Sequence, residues 1–145
     1  MPFSPGGEAA GDIEACGPGV SFKEGDAVIV SMRYGGFAEA VVVDESQVKP
    51  LPKGMSYAKG ASYQTAYLTA YVALHRRGYL ERGETLLVHG ATGGVGMAAV
   101  DLGKHFGATV IGTGGRDDKL AIVASRGADH VINYTMDDGS LGGFR

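Results

Sequence analysis

The sequence predicts an α/β protein in which a β-rich segment precedes a parallel sheet flanked by helices. Three observations carry this prediction. Residues 1–53 alternate short β-type runs with glycine and proline turns. Beyond residue 84, strands and helices alternate in the order strand–helix–strand–helix–strand, the pattern of a parallel sheet. At the head of that alternation, TLLVHGATGGVGMAAV (85–100) runs an apolar strand straight into Gly93, Gly94 and Gly96.

Taken in order, GDIEAC (11–16) reads as a strand stopped by GPG, and DAVIVSM (26–32) as a second strand before Arg33-Tyr34-Gly35-Gly36. FAEAVVVD (37–44) reads as a third, running towards Pro50 and Pro52. YAKGASYQTAYLTAYVALHRRG (57–78) is one helix or two broken ones, ending in His75, Arg76 and Arg77 with Gly78 as the stop. Then follow strand TLLVH (85–89), helix 94–106, strand ATVIG (108–112), helix 117–126 and strand HVINY (130–134). Gly107 and Gly127 stand where helix stops belong. The expected division is a β-rich unit over 1–55, a helical connection over 56–84 and a nucleotide-binding unit over 85–145.

Composition narrows the function classes. The 44% hydrophobic and 20% charged content describes a soluble globular chain. A net charge of −3 gives no reason to expect nucleic acid or an anionic membrane as partner, and no apolar run reaches the length of a membrane span. The N-terminal MPFSPGGEAAG has neither a basic nor an apolar signal-peptide region. A single cysteine, Cys16, excludes an internal disulfide framework and fits a reducing, cytoplasmic compartment. The 25 glycines follow no repeat period, which points to many tight turns and excludes collagen.

In this context the glycines at 93–96 match a dinucleotide-binding fingerprint, Ala91-x-Gly93-x-x-Gly96. Such a turn must be tight, its backbone must admit a pyrophosphate, and its helix must pack closely on the strand. Backbone N–H groups at the helix start then face the phosphates, where the helix dipole favours negative charge. The candidate turn residues are Ala91, Thr92, Gly93, Gly94, Val95 and Gly96. Competing motifs fail: there is no G-x-x-x-x-G-K-[ST], and no tyrosine has lysine four residues on, as short-chain dehydrogenases do.

Four blocks resemble one family: PFSPGGEAAGDIEACGPGV (2–20), KEGDAVIV with GGFAEAVVV (23–43), AYLTAYVAL with ERGETLLVHGATGGVG (66–96), and ATVIGTGGRDDKL with GADHVINY (108–134). Their order and spacing are similar to the zinc-independent, zeta-crystallin-like quinone oxidoreductase branch of the medium-chain dehydrogenases/reductases. The resemblance implies a partial GroES-like β domain followed by the first half of a Rossmann domain. It implies NADPH as cofactor, a quinone or conjugated carbonyl as small-molecule substrate, and a homo-oligomer. It also implies an internal fragment, because family members are more than twice this length.

By the same resemblance Thr69, in LTAY, lies near the nicotinamide; otherwise its hydroxyl bonds its own helix backbone. Tyr71 is expected to pack. Tyr134, in VINY, matches a position on the adenosine-phosphate side of the cofactor, and is otherwise a strand-end aromatic. Zinc-bearing relatives place His before Glu where this chain reads GGEAAG; here Gly7 precedes Glu8. One cysteine and the scattered histidines 75, 89, 105 and 130 offer no ligand spacing. Glu8 is therefore expected to be structural, Cys16 a small buried hydrophobe, and His89 a strand-end residue beside the turn.

The second strand carries the cofactor preference. An NAD site places Asp or Glu at its end, whereas this chain reads Ile111-Gly112-Thr113-Gly114-Gly115-Arg116. Thr113, Arg116 and Lys119 become candidate cofactor residues, with the two bases suited to a 2′-phosphate. The bland reading makes both bases solvated helix-start residues, partly neutralised by Asp117 and Asp118. Three functions stay open: an NADPH-dependent quinone or enone reductase, a zinc-free acyl-CoA or enoyl reductase, and a cofactor-binding module without catalysis.

Overall fold

In a computed structural model, which describes residues 3–135 and 142, the chain divides into two units, Met1–Thr65 and Ala66–Arg145. The first is built on an antiparallel sheet of β1 (Glu8–Asp12), β2 (Ala27–Ser31) and β3 (Val48–Pro50), in the order β1-β2-β3. Val28, Ile29 and Val30 of the central strand are buried. Glu8 opposes Ser31, and Val28 opposes Pro50. Pro50 has no N–H to give to a ladder, so it is tolerated only on an edge strand such as β3.

Two strand expectations need correction here. The first strand spans 8–12 rather than 11–16, because pairing with β2 decides it and the poor β-formers of EAAG are carried along. The run 37–44 forms no strand, and the third strand lies at 48–50. Asp44 and Gln47 form a capping box, with Asp44 Oδ1 accepting from Ser46 N at 2.9 Å and Gln47 Oε1 from Asp44 N at 3.1 Å. That starts a short 3-10 turn at Glu45–Gln47 and ends the extended run. Residues 38–43 instead border an apolar cavity of about 400 Å³ beside the sheet, leaving Val42 fully exposed.

The helix α1 (Tyr57–Tyr71) continues into a π-helical turn, Val72–Arg77. Gly78 closes that turn through a 2.7 Å bond from its N–H to Ala73 O. His75, Arg76 and Arg77 fill the last turn, where cations suit the helix dipole.

The second unit holds a parallel sheet of β4 (Thr85–Val88), β5 (Thr109–Gly114) and β6 (His130–Asn133), in the order β4-β5-β6. Helix α2 (Gly94–Phe106) joins β4 to β5, and α3 (Asp117–Ser125) joins β5 to β6. Gly107 ends α2 in the left-handed region at φ 84°, the conformation for which glycine is favoured. Val100, Val110 and Val123 are fully buried between sheet and helices, each contributing about 1.5–3 kcal/mol. Helix α2 approaches the sheet through Gly103, where a Cβ would lie 2.6 Å from Leu86 Cδ2. A cluster joins the helices: Asp101 on α2 accepts from the hydroxyl of Tyr67 on α1 and from the guanidinium of Arg126, which caps α3.

Candidate functional site

Strand β4 ends at Val88, and the chain turns through His89, Gly90, Ala91 and Thr92 before Gly93 caps α2. Gly90 takes φ 64°, and its carbonyl accepts from Gly93 N at 3.0 Å. Ala91 is wholly buried and donates its N–H to Thr113 O at 2.9 Å, so the turn is fastened to the end of β5.

The three fingerprint glycines divide by what surrounds them. A Cβ on Gly96 would lie 2.3 Å from Gly90 O and 2.8 Å from Ala91 Cα, so only glycine lets α2 start this close to the turn. Gly93 has ordinary spacing, with 3.5 Å from its Cβ position to Gly90 O. A Cβ on Gly94 would meet nothing within 4 Å. Gly93, Gly94 and Val95 are exposed at the helix start, where the first N–H groups of a helix have no intrahelical acceptor. Among the described residues, no atom requires Gly94 to be glycine.

The structure brings most of the other sequence-derived candidates to one edge. Thr113 is wholly buried, its Oγ1 3.2 Å from His89 Nδ1. Thr92 packs towards Gly114, where a Cβ would sit 2.9 Å from Thr92 Cγ2. Tyr134 donates its N–H to Gly114 O at 3.1 Å, and its ring lies against Gly115, 3.1 Å from that glycine's Cβ position. Arg116 is the N-cap of α3 and Lys119 stands exposed in the helix's first turn. The turn, the β5 end and Tyr134 therefore adjoin one another beyond the C-terminal ends of the strands, where ligands bind open α/β sheets. Thr69 is exposed on α1, one residue before the buried Ala70.

Arg116 is also paired in a way the residue order alone left open. Its Nε and Nη2 donate to Asp118 Oδ1 and Oδ2 at 3.0 and 2.7 Å. The guanidinium holds the Asp118 carboxyl below its ordinary value, and Asp118 in turn raises Arg116. Asp117 is engaged separately, accepting from Asn133 Nδ2 at 2.7 Å.

Comparison with known proteins places this geometry. The alcohol dehydrogenase GroES-like domain matches residues 1–53, and the zinc-binding dehydrogenase family matches residues 94–141. The quinone oxidoreductase of Pongo abelii is 40% identical over 136 residues, covering 92% of this chain and 41% of its own length. The chain belongs to the medium-chain dehydrogenase/reductase superfamily. It spans about two-fifths of the length of the quinone oxidoreductases it matches. A probable oxidoreductase from Mycobacterium abscessus superposes with a TM-score of 0.86 at 41% identity, over 91% of this chain and 43% of that one. The quinone oxidoreductase from Thermus thermophilus, solved also in complex with NADPH, gives 0.80 at 34% identity, over 92% and 42%.

Other expectations for this superfamily member sort as follows. Cys16 is exposed, not buried: it lies beyond the end of β1, its thiol donating to Phe22 O at 3.3 Å. Burial follows from elements packing around a residue, and the loop after β1 supplies none. Glu8 holds helix backbone, its Oε1 accepting from Thr65 N at 2.5 Å. Tyr71 packs with His75 and Phe106, ring centroids 5.0 and 6.3 Å away. Among the described residues, no group of three or more His, Cys, Asp or Glu is placed to hold a metal, and no helix is long and apolar enough to cross a membrane.

Proposed function

We propose that this chain binds NADPH at the glycine turn and belongs to a zinc-free oxidoreductase that passes hydride to a quinone or conjugated carbonyl. The observation that carries the reading is the turn itself. Gly96 is demanded by internal packing, while the exposed backbone at Gly93 and Gly94 leaves room at a helix start for a pyrophosphate. Residues 85–145 are assigned to nucleotide binding and residues 1–55 to the GroES-like part, with 56–84 connecting them. Thr92 to Gly96 receive the pyrophosphate, Tyr134 the adenosine side, Arg116 and Lys119 the 2′-phosphate, and Thr69 the nicotinamide, while the wholly buried Ala91 and Thr113 hold the turn and the β5 end in place beneath the cofactor.

When bound, NADPH supplies the hydride and its two electrons. The chain's share is to bind and orient: the helix start neutralises phosphate charge, and the two bases select the phosphorylated ribose. A cytoplasmic homo-oligomer acting on a small molecule, without nucleic-acid or membrane partners, completes the reading. Steady-state oxidation of NADPH in the presence of a quinone tests it directly. Quinone-dependent loss of nicotinamide absorbance is the expected outcome. NADPH binding without any turnover would instead favour a cofactor-binding module.

A further inference from the structure

Arg116 already holds an anion. Its guanidinium grips both oxygens of Asp118, two residues on, in the two-pronged geometry that arginine also offers to phosphate. Neither side chain is fixed by packing, since 66% of Arg116 and 62% of Asp118 are exposed. The neighbouring acid does not share the role, because Asp117 is taken by Asn133 on β6. The pair sits where β5 gives way to α3, one residue beyond the glycine against which the Tyr134 ring lies.

We propose that Asp118 is a specificity-setting residue, a built-in carboxylate that occupies the Arg116 fork until a 2′-phosphate displaces it. This rests on the reading of Arg116 as a phosphate-binding group. Exposed ion pairs are weak, so a phosphate monoester with nearly two charges and three acceptor oxygens outcompetes one carboxylate. NADH has only a ribose hydroxyl at that position and cannot compete for the guanidinium. Asp118 therefore lowers the affinity of the site for phosphorylated nucleotides and leaves its affinity for NADH alone. The preference for NADPH is set below what Arg116 and Lys119 would give unopposed.

The test is Asp118→Asn in the full chain, with equilibrium titrations of NADPH, NADH and 2′,5′-ADP. NADPH and 2′,5′-ADP should bind about twofold to fivefold more tightly, the scale of an exposed ion pair. NADH should change less than about twofold on the same scale. In an Arg116→Ala background the gain should disappear, since there is no fork to release. Asp118→Ser, which keeps a polar residue at the helix start, provides the same readout should the asparagine variant unfold. Unchanged or weaker NADPH binding overturns the proposal, as does equal tightening of NADH or a gain that persists without Arg116. A parent chain that binds NADPH and NADH alike overturns the underlying phosphate reading too. A parent that prefers NADPH while Asp118→Asn changes nothing defeats the Asp118 assignment alone.

Discussion

Alanine at Gly96 and alanine at Gly94, two residues apart on one helix, should move stability in opposite directions. At Gly96 the new methyl would stand 2.3 Å from Gly90 O and 2.8 Å from Ala91 Cα, both backbone atoms. No side chain can rotate away, so the turn or the start of α2 must shift. Overpacking of this kind costs about 1–3 kcal/mol, and the reduced freedom of the unfolded chain returns about 0.4–1 kcal/mol. The net loss is about 1–2 kcal/mol, which for a unit of this size lowers Tm by roughly 4–16 °C. At Gly94 a methyl meets nothing within 4 Å, so only the unfolded-state gain remains and Tm should rise by a few degrees. Yet Gly94→Ala should weaken NADPH binding by about tenfold, because its methyl would stand in the proposed pyrophosphate site. Thermal unfolding followed by circular dichroism, with a parallel nucleotide titration, reads both effects. Equal destabilisation by the two variants, or a Gly96→Ala chain as stable as the parent, would refute the packing argument.

Further outcomes follow from the same geometry. Burial pulls the Asp101 carboxyl up, but hydrogen bonds from Arg126 and Tyr67 with the guanidinium charge hold it below its ordinary value. Its stabilisation is therefore complete above the unfolded carboxylate value of about 3.9 and is lost as pH falls through the lower folded value. Asp101→Asn should lower stability at neutral pH and flatten the acid limb of the stability curve; parallel curves for parent and variant would contradict this. Nucleotide binding should survive treatment with a chelator, and stoichiometric zinc in the purified, tag-free protein would count against a zinc-free site. Strands β4 and β6 are the edges of the parallel sheet, with Leu87, Val131 and Ile132 partly exposed, so the chain should self-associate at micromolar concentration. A monomeric mass by light scattering, with a cooperative melt, would exclude that.

Where local rules act alone, the sequence was a good guide to the second unit. The helix 94–106 has the expected bounds because a glycine turn opens it and Gly107, in the left-handed region, closes it. Strands β4, β5 and β6 fall where apolar runs meet such stops. The first unit was less legible because pairing decides it. Val41 to Val43 are β-branched, as strands favour, yet no local pattern says whether a ladder partner exists, and the Asp44–Gln47 capping box diverts the chain. Val48–Pro50 was masked by its proline, a turn signal that an edge strand accommodates. At the site, the missing acid at the end of β5 could be read directly. Arg116's capture by Asp118 could not, since it depends on which rotamers two exposed side chains share. The contact of Thr113 with His89 was likewise invisible, although β4 and β5 end at the same edge.

The central claim is that the glycine turn and the end of β5 form one site for a phosphorylated dinucleotide. Titrating the chain with NADPH and with NADH, followed by nicotinamide fluorescence, tests it most directly. Saturable binding with NADPH at least about tenfold tighter than NADH is the predicted result, and replacing Arg116 and Lys119 together by alanine should bring the two affinities close to each other. No saturable binding, equal affinity for the two nucleotides, or a preference that survives the double replacement would contradict the account.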